Sequence, residues 1–351
     1  MAAARPTLVQ VADLAGVSVA SASRALNGMV ASPETVAKVR AAAASLGYVP
    51  DATARSLKLG YSQQLAFAVD DVGNPVYVEM MRAIESVISR SGYRLLVSST
   101  GAGPDDTVDL VRSLSRGYAD GLVISPLRVT AELVRELQRA AVPVVVVGAL
   151  PPEVHLDTVL TNSAHGAELA VDHLVDTGRR RIGFVNGPLD TTPGAARQRG
   201  FQNAYAAAGL GADVQAVQEV AKDFTVAAGH AAALELLDRH RDGSGAVTLD
   251  AILAANDLLA IGVIHAAIEL GLDVPRDLAV VGMDDTELAS VFNPGLTSVS
   301  LGSAERGRAA AELLLARLAD PTLPARRVVV EPKLVTRSST SVVGTAPGST
   351  S

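Results

Sequence analysis

From Gln63 onward, short apolar runs alternate with amphipathic stretches. That grammar limits this part of the chain to parallel sheets covered by helices on both faces. The runs are Leu65–Val69, Arg94–Ser98, Gly121–Ser125, Val144–Gly148, Arg181–Asn186, Ala251–Ala255 and Leu278–Gly282. Between them lie stretches such as Val78–Ser91, Ala131–Ala140, Ala164–Thr177 and Leu258–Leu270. About 270 residues of this pattern exceed one small core, so two lobes are expected.

Residues 7–47 follow another pattern, three short helices with clear start and stop signals. Thr7 and Gln10 have capping-box spacing, Val11, Leu14 and Ala15 supply an apolar face, and Gly16 stops the first helix. Ser18 caps Val19–Leu26, which ends at Asn27-Gly28. Ser32-Pro33-Glu34 opens the third helix, with a stripe of Val36, Val39, Ala43 and Leu46 and a stop at Gly47. The tight turn Gly16-Val17-Ser18 makes the first two a helix-turn-helix pattern. Pro50 then breaks the chain, and Asp51 can cap a short helix ending near Leu59-Gly60 that is marginal in isolation.

The net charge of −7 conceals an asymmetry. Residues 1–60 hold Arg5, Arg24, Lys38, Arg40, Arg55 and Lys58 against Asp13, Glu34 and Asp51, a balance of +3 that leaves −10 for the rest. A basic head on an acidic body fits a head that meets phosphates. The second helix of such a unit lies in the major groove with its first residues at base edges. Here these are Val19, Ala20 and Ser21, the first two limited to apolar contacts. Arg24 reaches a guanine edge or a phosphate, and Thr7, Ser23 and Asn27 suit phosphate positioning. The rival reading makes Val19 and Ala20 core, but Ala22, Ala25 and Leu26 already form an inward face.

With no cysteine, disulfides and thiolate chemistry are excluded. Met1–Gln10 has no apolar h-region, and Leu249–Leu270 is interrupted by Asp250, Asn256, Asp257 and His265. A soluble, cytoplasmic protein is therefore expected. The six histidines are scattered without HExxH spacing, there is no GxSxG elbow, and GAGPDD at 101–106 lacks the GK[ST] ending of a phosphate loop. No enzyme, catalytic residue, cofactor or metal site is expected. The Ser-, Thr- and Gly-rich tail 338–351 is expected to be disordered and has no leucine heptads.

Ligands of open parallel sheets bind beyond the carboxyl ends of strands. The polar groups at those places are Asp70, Asp71, Asn74 and Tyr77, then Ser125, Arg197, Phe224, Asn256-Asp257 and Asp284-Asp285. Carboxylates, an amide, a guanidinium and rings suit a polyhydroxyl or polar ring ligand. Ion pairing and helix capping are the structural alternatives.

The segments TLVQVADLAGVSVASASRALNG and SPETVAKVRAAAASLGYVPDATARSLKLG resemble the head of the LacI/GalR repressor family, and the body resembles that family to about residue 337. The resemblance implies an all-α helix-turn-helix head plus an α/β two-lobed core like periplasmic binding proteins. The expected domains are 1–49 for the head, 50–61 for a hinge helix and linker, 62–337 for the core, and 338–351 for the tail. Within the core the N-lobe is expected at about 62–161 and 292–323, and the C-lobe at about 162–291 and 324–337. The expected DNA-binding set is Thr7, Ser18, Val19, Ala20, Ser21, Ser23, Arg24, Asn27, Ala54, Arg55 and Leu57, with Leu57 wedging into a base step of the minor groove.

Five further segments carry the resemblance into the cleft. NPVY implies Asn74, Val76 and Tyr77 as effector contacts, ARQRGF implies Arg197, AKDFT implies Phe224, AAND implies Asn256, and VGMDDTELAS implies Asp284. Asp70 and Ser125 complete the set. The chain departs from the family pattern at Asp51, where asparagine is usual, at Val19, in the short link between Asn27 and Ser32, and at Leu301, where glutamine is frequent. The implied function is a homodimeric DNA-binding transcription regulator, a repressor on a palindromic operator, allosterically controlled by a sugar or sugar derivative. The alternatives are a cytoplasmic sugar-binding protein without a DNA role, and a regulator controlled by a protein partner.

Overall fold

The structure, a computed structural model, describes residues 6–27, 30–49, 61–101, 103–114, 117–211 and 213–341. It divides into a head, residues 1–63, and a core, residues 64–351.

In the head, helices α1 (Leu8–Ala15), α2 (Val19–Leu26) and α3 (Pro33–Leu46) close on Val11, Ala12, Ala22, Ala25, Val39, Ala42 and Ala43. The capping box is formed: Thr7 N donates to Gln10 Oε1 at 2.9 Å, and Gln10 N donates to Thr7 Oγ1 at 3.4 Å. Gly16 and Gly47 end α1 and α3 in the left-handed conformation, at φ 66° and 65°. Leu14, expected on the apolar face, is exposed, and Ala12 is buried instead. Small residues such as Ala22 and Ala42 fill this part of the seam.

The core alternates strand and helix. In chain order the elements are β1 (Gln64–Val69), α4 (Pro75–Ile88), β2 (Arg94–Ser99), α5 (Pro104–Leu114), β3 (Gly121–Ser125), α6 (Ala131–Arg139), β4 (Val144–Val147) and β5 (Asp157–Thr161). They continue with α7 (Ser163–Asp176), β6 (Ile182–Asn186), α8 (Thr192–Ala207), β7 (Gln218–Val220), α9 (Val226–Arg239), β8 (Ala251–Ala254), α10 (Asp257–Glu269) and β9 (Ala279–Asp284). The last are α11 (Glu287–Val291), β10 (Thr297–Ser300), α12 (Ser303–Ala319), β11 (Arg327–Val330) and β12 (Lys333–Val335).

The N-lobe sheet has the order β11-β5-β4-β3-β1-β2, parallel throughout. Alternate residues of its central strands feed two different cores, as a strand buried on both faces must. Leu65, Phe67, Val69, Val123, Val145 and Val147 pack with α4 and α12, while Ala66, Ala68, Leu122, Ile124, Val144 and Val146 pack with α5 and α6. The C-lobe sheet has the order β12-β10-β9-β8-β6-β7, with only β12 antiparallel. Its helices pair as α7 with α8 and α9 with α10.

The lobes interleave, but not where the sequence placed the exchanges. The chain was expected to cross near Thr161, Val291 and Pro324. It crosses at Asn162, at Leu301-Gly302 and at Glu331-Pro332. The N-lobe is therefore built from residues 64–161 and 303–330, and the C-lobe from 163–300 and 333–341. Two strands account for the difference. β10 stays in the C-lobe beside β9, pairing Thr297 with Val281 and Ser300 with Asp284, and β11 returns to the N-lobe beside β5, pairing Arg327 with Thr158. Prolines 294 and 324 mark turns before these strands rather than changes of lobe.

The tail also begins later than expected. Ser339 N donates to Gly295 O at 2.9 Å, Thr297 N donates to Ser339 Oγ at 2.8 Å, and Ser339 Oγ donates to Val280 O at 2.6 Å. These hydroxyl and amide groups satisfy backbone at the ends of β9 and β10, so 338–341 belongs to the C-lobe. The expected disorder of 342–351 lies outside the described residues. Among the described residues, no helix is long and apolar enough to cross a membrane.

Candidate functional site

In the head, α2 presents Val19, Ala20 and Arg24 to solvent while Ala22 and Ala25 are buried. The helix thus has the inward face expected, and its first turn is free for a partner. Ser18 caps it, with its Oγ accepting from Ser21 N at 3.1 Å, and Arg24 Nη2 donates to Ser21 Oγ at 3.3 Å. Thr7 is exposed at the cap of α1. Ser23 differs from expectation: it is buried, and Asn27 Nδ2 donates to its carbonyl at 2.8 Å. Its carbonyl thereby holds the end of α2. Ala54, Arg55 and Leu57 lie outside the described residues.

In the core, the carboxyl ends of strands from both lobes converge on a cleft of about 350 Å³. All nine residues singled out for it, Asp70, Asn74, Val76, Tyr77, Ser125, Arg197, Phe224, Asn256 and Asp284, line this space. Asp70 follows β1, and Asn74 caps α4, its Oδ1 accepting from Val76 N at 3.2 Å. Tyr77, one turn into α4, packs edge-on against Phe67 with ring centroids 6.5 Å apart. Burial pushes its phenol up to about 12, Asp70 adds to the shift, and Ser125 opposes it. The hydroxyl is therefore a neutral hydrogen-bonding group. Burial likewise raises the Asp70 carboxyl, against the attraction of Arg128.

Across the cleft, Arg197 leaves the first turns of α8. Its Nη1 donates to Ala255 O, and its Nη2 lies 3.5 Å from Asp284 Oδ1. Both side chains are buried. Burial raises the Asp284 carboxyl, and Arg197 and Arg306 pull it back down. Asp284 has a φ of 109° and Asp285 a φ of 54°, conformations that side chains other than glycine rarely adopt. Asp285 is held by Arg337 Nη2 at 2.6 Å, so the strained corner is fixed from behind.

Phe224 stands in the turn between β7 and α9, and its ring occupies the space a side chain on Gly187 would need: a Cβ there would lie 2.2 Å from Phe224 Cε1. Asn256 caps α10 through Leu259 N at 2.9 Å, and its Nδ2 donates to Phe224 O at 3.3 Å. Its amide thus supports the ring's loop from the cleft wall. Asn186, which the sequence placed only at the end of a strand, fixes the adjoining loop after β6 by accepting from Gly187 N at 2.8 Å and donating to Gly194 O at 3.0 Å.

Arg128, Thr161, Lys222, Asp223 and Arg306 also line the cleft and were missed. Arg128 stands three residues past β3, so the rule that found Ser125 would have found it. Thr161 and Arg306 had no such signal, because β5 (DTVLT) and β10 (TSVS) are not apolar runs. Among the described residues, no group of His, Asp and Glu could hold a metal ion.

A helix-turn-helix head joined to a two-lobed core with a cleft at its strand ends defines a ligand-sensing transcription regulator. The lacI family of bacterial regulatory proteins matches residues 7–51, and the periplasmic binding protein-like domain matches residues 171–340. The ribose operon repressor of Escherichia coli (strain K12) is 34% identical over 336 residues, covering 95% of this chain and 99% of the relative. Among solved structures, the transcriptional regulator CelR–cellobiose complex is 32% identical with a TM-score of 0.71, covering 95% of this chain and all of that one. The lac repressor dimer bound to operator and the anti-inducer ONPF is 26% identical with a TM-score of 0.82, covering 97% of this chain and all of that one. The chain belongs to the LacI family, and it is a DNA-binding regulator rather than an enzyme.

Proposed function

We propose that the protein is a cytoplasmic repressor that binds a palindromic operator as a homodimer and is switched by a sugar or sugar derivative in the cleft. The observation that carries this reading is the convergence of charged and ring side chains from both lobes on one space: Asp70, Tyr77 and Ser125 from the N-lobe, Arg197, Phe224 and Asp284 from the C-lobe. A ligand held by both lobes favours one lobe arrangement, and only such differential affinity can shift a two-state equilibrium. The exposed first turn of α2 supports base-edge contacts by Val19, Ala20 and Arg24. Relatives point to the ligand class, since one is the ribose operon repressor and another is a regulator in complex with cellobiose.

The test pairs operator binding with effector binding. Fluorescence anisotropy on a palindromic duplex should show specific binding that a sugar from a small panel alters. Arg197→Ala should keep the DNA affinity of the ligand-free protein and lose the sugar response. An unchanged response in Arg197→Ala removes the cleft assignment, and no preference for any palindrome over random duplex removes the regulator's operator.

A further inference from the structure

Besides Arg128, two buried guanidinium groups enter the cleft from different lobes, Arg197 from α8 and Arg306 from α12. Arg197 Nε is buried without a hydrogen-bond acceptor, and so is Arg306 Nε. Arg306 is the poorer in partners. Among the described residues its side chain makes one long bond, from Nη2 to Ser303 Oγ at 3.5 Å. Burial weakens both cations; Asp284 attracts each of them, and Asp257 also attracts Arg197.

The other acids near the cleft are committed elsewhere. Asp71 Oδ1 accepts from Gly73 N at 2.8 Å, and Asp223 Oδ1 accepts from Thr225 N at 3.0 Å. Asp257, behind Asp284, accepts from Thr286 N at 2.7 Å and from Ser298 Oγ at 2.6 Å. Asp70 feels Arg128 rather than Arg306. Leu301, buried beside this corner, offers no acceptor. Buried donors without acceptors are rare in folded proteins and costly to keep. Here two of them, and the likewise unpartnered Thr161 hydroxyl, belong to residues on the wall of a ligand-sized space.

We propose that the effector carries an anionic group, a carboxylate or a phosphate on a polyhydroxylated body, received between Arg197 and Arg306, and that Arg306 sets this preference. The proposal rests on the reading of the cleft as an effector site. A neutral hydroxyl brings one acceptor oxygen and a proton that needs an acceptor of its own. An anionic group brings two or three oxygens and no such proton, which matches guanidinium forks short of acceptors.

The test is calorimetric titration of the full-length protein at fixed ionic strength with matched sets: glucose, glucuronate and glucose 6-phosphate; ribose, ribonate and ribose 5-phosphate. In one set an anionic member should bind at least tenfold more tightly than its neutral parent, and the acid and phosphate arms distinguish the two anions. Arg306→Met should abolish that preference, and Arg306→Lys, which keeps the charge, should retain part of it; thermal melting checks that both fold. A neutral sugar that binds as tightly as its acid and its phosphate overturns the proposal, as does an undiminished preference in Arg306→Met. If a neutral sugar binds as tightly as its acid and its phosphate and Arg197→Ala abolishes that binding, the effector site stands while the anionic preference falls. If no member of either set binds, both fall.

Discussion

Arg128 Nε lies 2.6 Å from Asp190 Oδ2, which joins the loop after β3 in the N-lobe to the loop after β6 in the C-lobe. Beside it, Thr192 N donates to Leu127 O at 2.7 Å. A backbone bond and an ion pair thus fasten the lobes at one side of the cleft. The hydrogen bond between them raises Arg128 and lowers Asp190 from their ordinary values. Since both side chains are partly exposed, the pair is worth at most about 1 kcal/mol and is screened by salt. A double-mutant cycle of Arg128→Ala and Asp190→Ala in urea denaturation should give a coupling of roughly 0.5–1 kcal/mol that shrinks at high salt. Strict additivity at low salt would remove the fastening from the energetics.

Gly187→Ala should weaken ligand binding without unfolding the chain. The new Cβ would fall 2.2 Å from Phe224 Cε1 and 2.4 Å from Cζ, so the ring must leave its place on the cleft wall. Loss of ring contact should reduce affinity by about tenfold, on the scale of 1–1.5 kcal/mol for an aromatic contact. Calorimetric titration with the sugars above, beside a thermal melt, separates the two effects.

Gly262→Ala should destabilise the C-lobe by about 1–3 kcal/mol. Helices α9 and α10 cross with Gly262 against backbone: an added Cβ would sit 2.3 Å from Val226 O and 2.5 Å from His230 N. Backbone in a packed helix has no rotamer into which to retreat. The urea midpoint should fall at constant slope; an unchanged midpoint would mean that the crossing relaxes freely.

Asp257 makes stability fall as pH rises from about 4 to about 7. Burial pushes its carboxyl up to about 7, Asp284 adds to the shift, and the bonds from Ser298 and Thr286 oppose it. In the unfolded chain it titrates near 3.8, so the folded protein holds the extra proton between these values. The stabilisation is full below about 4 and is lost as pH rises through about 7. Asp257→Asn, which stays neutral, should flatten the dependence of stability on pH between 5 and 8. Equal slopes in both proteins would contradict the assignment.

His173 acts in the opposite direction. Burial holds its imidazole below the ordinary 6.5, and its Nε2 is 2.9 Å from Thr340 Oγ1, a link that pins the chain beyond β12. The folded form prefers the neutral ring. Its contribution is complete above 6.5 and is lost as pH falls below that value. His173→Gln should reduce acid sensitivity, measured as the thermal midpoint at pH 5 relative to pH 7.5.

What the residues disclosed and what they withheld have a common physical basis. Central strands such as Leu65–Val69 and Val144–Val147 are buried on both faces, so they read as unbroken apolar runs. The helix caps at Thr7, Ser18 and Ser32 carry their own local chemistry. Sites that follow those strands were therefore accessible from the sequence, Asp70 and Asp284 among them. β5, β10, β11 and β12 are short, and several are half-exposed or polar, so their pairing is decided by neighbours far along the chain. Missing β10 and β11 misplaced two lobe crossings and hid Arg306. The tail's hydroxyls looked like the composition of disorder because nothing local shows that Ser339 meets the backbone of Val280.

The three passages between lobes are very short: Asn162 alone, Leu301-Gly302, and Glu331-Pro332. Three such tethers leave no slack for the lobes to slide apart, because translation would pull all of them taut together. Rotation of one lobe against the other is the motion such tethers leave. Whatever the cleft grips is thereby converted into a single mechanical coordinate, a swing, in the manner of a door hung on three pins.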